Sequence, residues 1–292
     1  MAARGDKVSA TDYNNVRLAM LNILGSGSGD YGYGQTPASA SAIFADKVKR
    51  TDWDNLRRDI QRIADHQGTS IAIASVTTGT KISASVVNNY LDVVSNVLIT
   101  NRFNLAIGQY SDETITTSTK SSWNGIIQHN FQLDFGSVDN ARYYFNAGGN
   151  IRITPTFTPN SNTSINQDWN NIISNVGTIV FSYTNTTISG SQVSSIGYYD
   201  LTTSPTQIYI RTGGNINSLY ASNDFKVNVY RNSTGSVVYF QVSFEDNKSN
   251  NGLIWGVDEP ATGSLVNTVI SRRPSGSNVN ITAPTIAVTS YL

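Results

Sequence analysis

Side chains able to do chemistry are sparse in this sequence of 292 residues. Cysteine is absent, and the only imidazoles are His66 and His129. Without thiols there is no Cys-ligated zinc site, iron–sulfur cluster, thiol nucleophile or disulfide framework. Either histidine could act as a general base toward a serine, but no Gly-x-Ser-x-Gly elbow accompanies them. Both follow a Trp-containing stretch read as a helix, where a positive charge would complement the C-terminal dipole, so structural placement is expected. Glu245-Asp246 and Asp258-Glu259 are the acidic pairs of the C-terminal half. Glycoside hydrolysis needs two carboxylates roughly 5–10 Å apart across a cleft. These pairs sit at turn-like positions and are expected to be solvated. Asp246, Asn247, Asn250 and Asn251 offer oxygens for calcium without the spacing of a known loop. Gly25-Ser26-Gly27-Ser28-Gly29 follows a helical run, so it lacks the preceding strand of a phosphate cradle and reads as a flexible linker. Arg4-Gly5-Asp6 spells an adhesion tripeptide but belongs to a longer repeat. The expectation is no catalytic residue, no cofactor and no metal.

Composition narrows the classes further. Lys+Arg 20 and Asp+Glu 20 cancel, and only 14% of residues are charged. Residues 1–66 carry nine basic against eight acidic side chains, and residues 136–292 carry eight of each, so no charged tail hides behind the zero. Nucleic-acid binding through counterion release needs a basic excess that is missing. Hydrophobic residues at 39% with no net charge disfavour intrinsic disorder. No run approaches the ~18 apolar residues of a membrane span. The polar stretch Met1–Ser9 lacks a secretory profile, so synthesis in a cytoplasm is expected.

The elements that must position these groups begin with a repeat. Residues 6–17, DKVSATDYNNVR, and 46–57, DKVKRTDWDNLR, agree at seven of twelve positions. Residues 81–89, KISASVVNN, share the same scheme, and Lys120-Ser121-Ser122-Trp123-Asn124 is a fainter copy. Each copy opens an amphipathic helix. A hydroxyl recurs at Thr11, Thr51 and Ser85, and the sequence leaves open whether Ser9 or Thr11 caps the first helix. Tyr13, Val16, Met20, Ile23 and Leu24 fall at helical spacing, as do Trp53, Leu56, Ile60 and Ile63. The third helix carries two stripes, Val87-Leu91-Val94-Leu98 and Val86-Tyr90-Val93-Val97, which predicts burial on two sides. Gly34-Gln35 and Gly108-Gln109 repeat as loops. The scheme predicts two helix–loop–helix modules, 1–68 and 69–135, too small to bury their own faces and therefore docking on other protein.

From residue 136 the pattern turns to period two. Ala141–Asn146 and Ile151–Ile153 around Ala147-Gly148-Gly149 predict a hairpin, as do Phe225–Val229 and Val238–Phe244 around Asn232–Gly235. Further strands are expected at 178–183, 207–211 and 286–289, with a short helix at 168–173. Pro155, Pro205 and Pro284 belong at edges or strand ends. The class predicted is α+β: duplicated helical modules followed by an antiparallel β-sandwich over 136–292. Tyrosine faces and Asn amides could recognise sugars, although Tyr143, Tyr144, Tyr183, Tyr198, Tyr199, Tyr209 and Tyr239 suit core or subunit packing equally.

The repeat DKVSATDYNNVR, the loop Gly29–Thr36, the segment Trp53–Asp59, the segment Ala141–Gly149 and the final β stretch to Leu292 resemble virion structural proteins of marine tailed phages, cyanophages with contractile tails above all. The resemblance touches most of the chain and brings no catalytic residue. It implies a tail-fibre-like particle component, made in the host cytoplasm and located in the virion. Its expected partners are copies of itself, in a trimer for example, and other virion proteins at the tail, baseplate or fibre base. Docking is expected through Tyr13, Trp53, Leu56, Val87, Leu91 and Trp123. A host-receptor or host-surface glycan-binding module in the β domain is the alternative, and a capsid decoration protein a second. Neither membrane insertion nor nucleic acid is expected.

Overall fold

A computed structural model describes residues 8–43, 47–77, 79, 81–117, 122–213, 220–247 and 259–291. Arg4-Gly5-Asp6, Lys120-Ser121, Asn250-Asn251 and Asp258 lie outside the described residues. The fold is α+β, and the chain divides into two compact units. One is drawn from Met1–Ser111, Arg142–Gly149 and Arg273–Thr282. The other comprises Asp112–Ala141, Asn150–Arg272 and Ala283–Leu292. The three N-terminal helices therefore share one unit, instead of dividing into modules at 1–68 and 69–135.

In the helical unit, α1 (Ala10–Leu24), α2 (Arg50–Gln67) and α3 (Ala84–Asp92) start on the repeat. Ser9 is the N-cap of α1. Its hydroxyl accepts from the Asp12 amide at 3.2 Å, and the Asp12 carboxylate accepts from the Ser9 amide at 2.9 Å. Asp52 repeats the second bond, accepting from the Lys49 amide at 2.7 Å. Ser83 holds the same column before α3. The hydroxyl column Thr11, Thr51 and Ser85 lies two residues inside each helix. What repeats is a helix-start cassette: an aliphatic residue before the cap (Val8, Val48, Ile82) and a buried one at the fourth helical position (Tyr13, Trp53, Val87).

The two stripes of the third helix merge into one buried face. After Asp92 the helix continues as a π-helix, Val93–Leu98, and the Ile99 amide donates to the Val94 carbonyl at 3.1 Å. The wider turn resets the register, so Ala84, Val87 and Tyr90 are followed inward by Val93, Val94 and Leu98. Val86, Leu91 and Val97 are only half-buried. Burial on two opposite sides is not what this helix does.

The Gly25–Gly34 segment is a built loop, not a flexible linker. Arg142 donates to the carbonyls of Ser26 (2.9 Å) and Tyr31 (2.6 Å), and Asn146 donates to those of Gly29, Tyr31 and Gly32 at 3.1–3.2 Å. Gly27 and Gly32 have positive φ, and a Cβ at either would fall within 2.5 Å of backbone across the loop. Arg142 and Asn146 lie on α4 (Val138–Asn146), which replaces the first strand of the expected hairpin at 141–146. Ala141, Tyr144 and Phe145 are its buried i, i+3, i+4 face. The glycine pair ends it: the Gly149 amide donates to the Tyr144 carbonyl at 2.9 Å while Gly148 takes φ +87°.

The repeated Gly-Gln loops hold one partner. The Gln35 amide exchanges two hydrogen bonds of 3.3 Å with the Asn280 backbone. The Gln109 carbonyl accepts from the Ser275 amide at 2.9 Å, and Asn278 donates to its side chain at 3.4 Å. Ser275 and Asn280 bridge each other, so both glutamines grip one short loop.

The second unit is a sandwich-like pair of antiparallel sheets. One sheet runs in the order β1 (Tyr110–Thr116), β11 (Ala261–Pro274), β4 (Asn150–Pro159), β5 (Ile179–Phe181), β6 (Thr186–Ile188) and β7 (Ser191–Ser194). The two-residue β2 (Ser122–Trp123) also pairs with β11. The other runs β12 (Thr285–Tyr291), β3 (Ile126–Asp134), β10 (Val237–Glu245), β9 (Asp224–Arg231) and β8 (Thr206–Thr212). The Phe225–Phe244 hairpin forms as expected, and α5 (Ser164–Ser174) covers the anticipated short helix. The Trp123 segment is strand, not helix, and β3 puts 126–134 in the sandwich instead of a second helical module. Alternation explains this, since Ile127, His129, Phe131 and Leu133 all point inward. Pro155 sits just where β4 keeps β11 as partner after its pairing with β5 has stopped at Ile153. Pro205 and Pro284 directly precede β8 and β12.

Candidate functional site

Both histidines are structural in geometry. His66 is fully buried near the end of α2, and its Nε2 donates to the Ala147 carbonyl at 2.9 Å. A carbonyl only accepts, so Nε2 carries a proton. Burial pushes its pKa from 6.5 down to about 4, against a smaller opposing effect of that hydrogen bond. The expected positive charge at a helix end is therefore not what His66 supplies. His129 lies on β3, not past a helix. Its Nδ1 accepts from Asn267 of β11 at 2.8 Å, joining the two sheets through the core, and burial lowers its pKa. The Asn267 backbone is fixed in turn by Thr117, which donates to the Asn267 carbonyl and accepts from its amide at 3.0 and 2.9 Å.

Several carboxylates are likewise engaged. Asp59, fully buried on α2, accepts from the amides of Ala38 (3.0 Å) and Ser39 (2.8 Å) and pairs with Arg62 at 3.3 Å. Glu245 pairs with Lys226 at 2.6 Å, and Asp224 with the same ammonium at 3.0 Å. Glu259 is exposed. Among the described residues no group of three or more His, Asp or Glu is placed to hold a metal ion, and no helix is long and apolar enough to cross a membrane.

Five residues expected to dock on other protein are interior. Tyr13, Trp53 and Leu56 have no exposed surface, Val87 3% and Trp123 5%, while Leu91 is half-buried. Tyr13 packs edge-on to Trp53, and Trp53 to Tyr90. Trp123 meets Phe157 and Trp169 in the sandwich. These side chains build the folded chain itself, because the third helix and the segment after it supply the burial that two isolated helices lacked.

Among the described residues, two surfaces bear on binding. A cleft of about 350 Å³ on the helical unit is lined by Arg50, Arg57 and Arg58 together with Asp54, Gln61, Ser75 and Thr77. Asp54 pairs with Arg50 at 3.1 Å and offsets part of its charge. The other is the outer face of the five-stranded sheet. Strand register lines its residues up in rows. Gln132, Tyr239 and Tyr230 form one row, Asn130, Gln241, Asn228 and Gln207 the next, and Gln128, Ser243, Lys226 and Ile210 the third. Neighbours in a row lie about 4.8 Å apart and rows about 7 Å apart. Tyr230 and Tyr239 stack at 4.7 Å with 14° between ring planes, forming a ridge beside the amide row. Tyr144 and Tyr198 are buried, whereas Tyr143, Tyr183, Tyr199, Tyr209 and Tyr239 are half-buried.

No protein-family model, curated protein or solved structure matches the chain.

The sequence pattern hides this face, because the Trp123 copy of the repeat predicts a helix ending near His129 where β3 runs. The available signal is an amide at every second position, Gln128, Asn130 and Gln132, with apolar residues or His between them.

Proposed function

We propose that the chain is a non-catalytic structural component of a tailed-phage particle: a homo-oligomeric appendage at the tail, baseplate or fibre base. It is made in the host cytoplasm and needs no cofactor. The observation that carries this reading is that both imidazoles, the groups best suited to catalysis, are consumed in building the fold. Together with the resemblance of the repeated segments to marine phage virion proteins, it favours a part over an enzyme. Attachment then falls to exposed residues of the helical unit, because the helical stripes are spent inside it. Among the described residues, Ile107 at 93%, Ile43 at 70% and Leu18 at 61% exposure are the most exposed large apolar side chains offered there.

The test is mass spectrometry of purified particles with copy counting by particle imaging. A copy number that follows the rotational symmetry of the tail is expected. Hundreds of copies on the capsid would make the protein a decoration protein, and absence from purified particles would end the reading. A deletion of 1–135 would also remove β3 from between β12 and β10, so a point substitution is required. Ile107→Glu, fully exposed in the folded chain, probes attachment cleanly.

A further inference from the structure

We infer that the outer face of the five-stranded sheet binds a neutral oligosaccharide, lying across β3, β10, β9 and β8 along the row Asn130, Gln241, Asn228 and Gln207. The inference stands on the sandwich unit alone and does not rest on the particle reading.

Three observations carry it. Gln241, Asn228 and Gln207 stand side by side by register, each half-buried or exposed, and Gln132 stands in the next row. Among the described residues none of these four side-chain amides makes a hydrogen bond. Asn130, at the end of the row, accepts from Gln128 at 2.8 Å, and the three unspent amides beside it each offer a donor and an acceptor, which is what the hydroxyls of a sugar need, since each hydroxyl both gives and accepts. The strand spacing of about 4.8 Å repeats that offer along the row.

Charge is the second observation. The cation in these rows, Lys226, is held between Glu245 at 2.6 Å and Asp224 at 3.0 Å. No ammonium is left over in the rows for a sulfate, a sialic acid or a phosphate backbone, so the complementary ligand is uncharged. The third is the tyrosine ridge. Stacked on each other in the neighbouring row, Tyr230 and Tyr239 set aromatic surface beside the amides. The apolar face of a sugar ring packs against such an aromatic wall. Ile210, 41% exposed in the third row, gives a second apolar contact.

A protein partner fits this face less well. Burying the row against another chain would require each amide to find its own partner, and any left unpaired would oppose binding. Protein interfaces are centred on apolar and aromatic anchors, and here the centre is amide.

The experiment uses the purified full-length protein on an array of immobilised neutral hexose and N-acetylhexosamine oligosaccharides, with sialylated and sulfated ones beside them. The best neutral binder is then titrated calorimetrically. Gln241→Ala and Asn228→Ala are each expected to weaken binding about three- to tenfold, the worth of one or two hydrogen bonds. Gln192→Ala, exposed on β7 of the other sheet, is expected to leave binding unchanged. Unfolding midpoints of the two face variants should match the parent, because the amides support nothing in the fold. Absence of neutral-glycan binding, preference for the charged glycans, or equal binding by all variants would overturn the inference. So would protection of this face by a second copy in solution, read by hydrogen exchange. None of these results bears on whether the protein is found in particles.

Discussion

The rings of Tyr13 and Trp53 meet edge to face with centroids 5.2 Å apart, and the two residues occupy the same position of the internal repeat. The duplicated sequence is thus in contact with itself at equivalent sites. Tyr13 adds a hydroxyl that donates to the carbonyls of Ala40 (3.1 Å) and Asp52 (3.3 Å), the second of which belongs to the other copy. Burial and the Asp52 charge push its pKa up to about 12.

Trp53→Ala is expected to cost about 3–5 kcal/mol, the range for deleting a buried aromatic. Tyr13→Phe, which keeps the ring, should cost about 1 kcal/mol for the lost hydroxyl bonds. A double-mutant cycle between the two positions should return a coupling of about 0.5–1.5 kcal/mol. Urea unfolding checks all three, and zero coupling would mean that the ring contact contributes only through area.

The cap assignment separates neighbouring residues. Asp12→Ala and Ser9→Ala should each destabilise by about 0.5–2 kcal/mol, because each removes one arm of the capping box. Thr11→Ala, exposed and inside the helix, should fall within about 0.5 kcal/mol of the parent. A larger loss at Thr11 than at Ser9 would place the cap two residues later.

His66 predicts an acid-sensitive fold. The unfolded chain binds a proton near pH 6.5, whereas the folded site resists it down to about 4. Stability is therefore complete above about pH 6.5 and falls as pH drops toward 4. One site loses about 3 kcal/mol over that window. His129, whose pKa burial also lowers, adds in the same direction. Urea midpoints between pH 7 and 4 should show the decline, and His66→Gln should flatten part of it. An unchanged slope in that variant would rule His66 out as the source.

Arg142→Ala and Asn146→Ala should free the glycine loop without unfolding the unit. Backbone amides of 26–32 are expected to exchange faster, with a global loss of about 1–3 kcal/mol per variant. If exchange in the loop did not change, the carbonyl contacts would be incidental to its shape.

Much of this was legible in sequence where one period ruled. The stripes of α1 and α2 and the Phe225–Phe244 hairpin come directly from spacing. Legibility failed where two codes overlapped. Ala141–Gly149 runs three aromatic residues up to a Gly-Gly turn like a strand entering a hairpin, yet Ala141, Tyr144 and Phe145 also satisfy a helix, and the left-handed Gly148 decides for the latter. Trp123-Asn124 imitates the helix-start cassette, but the alternation of Ile127, His129, Phe131 and Leu133 commits residues 126–134 to a strand. The buried faces of α1, α2 and α3 read as docking surfaces because spacing reports that a face must be covered and not which segment covers it. The sheet face was hidden for a related reason, as its rows exist only in the register between strands far apart in sequence.

The short loop at 275–280 sets the order in which the protein can be finished. Gln35 meets its partner Asn280 across 245 residues of chain. During synthesis both Gly-Gln loops stay unclosed until nearly all of the second unit has left the ribosome. A truncated product would thus carry a helical unit lacking its clasp, and only chains translated through residue 280 can close it.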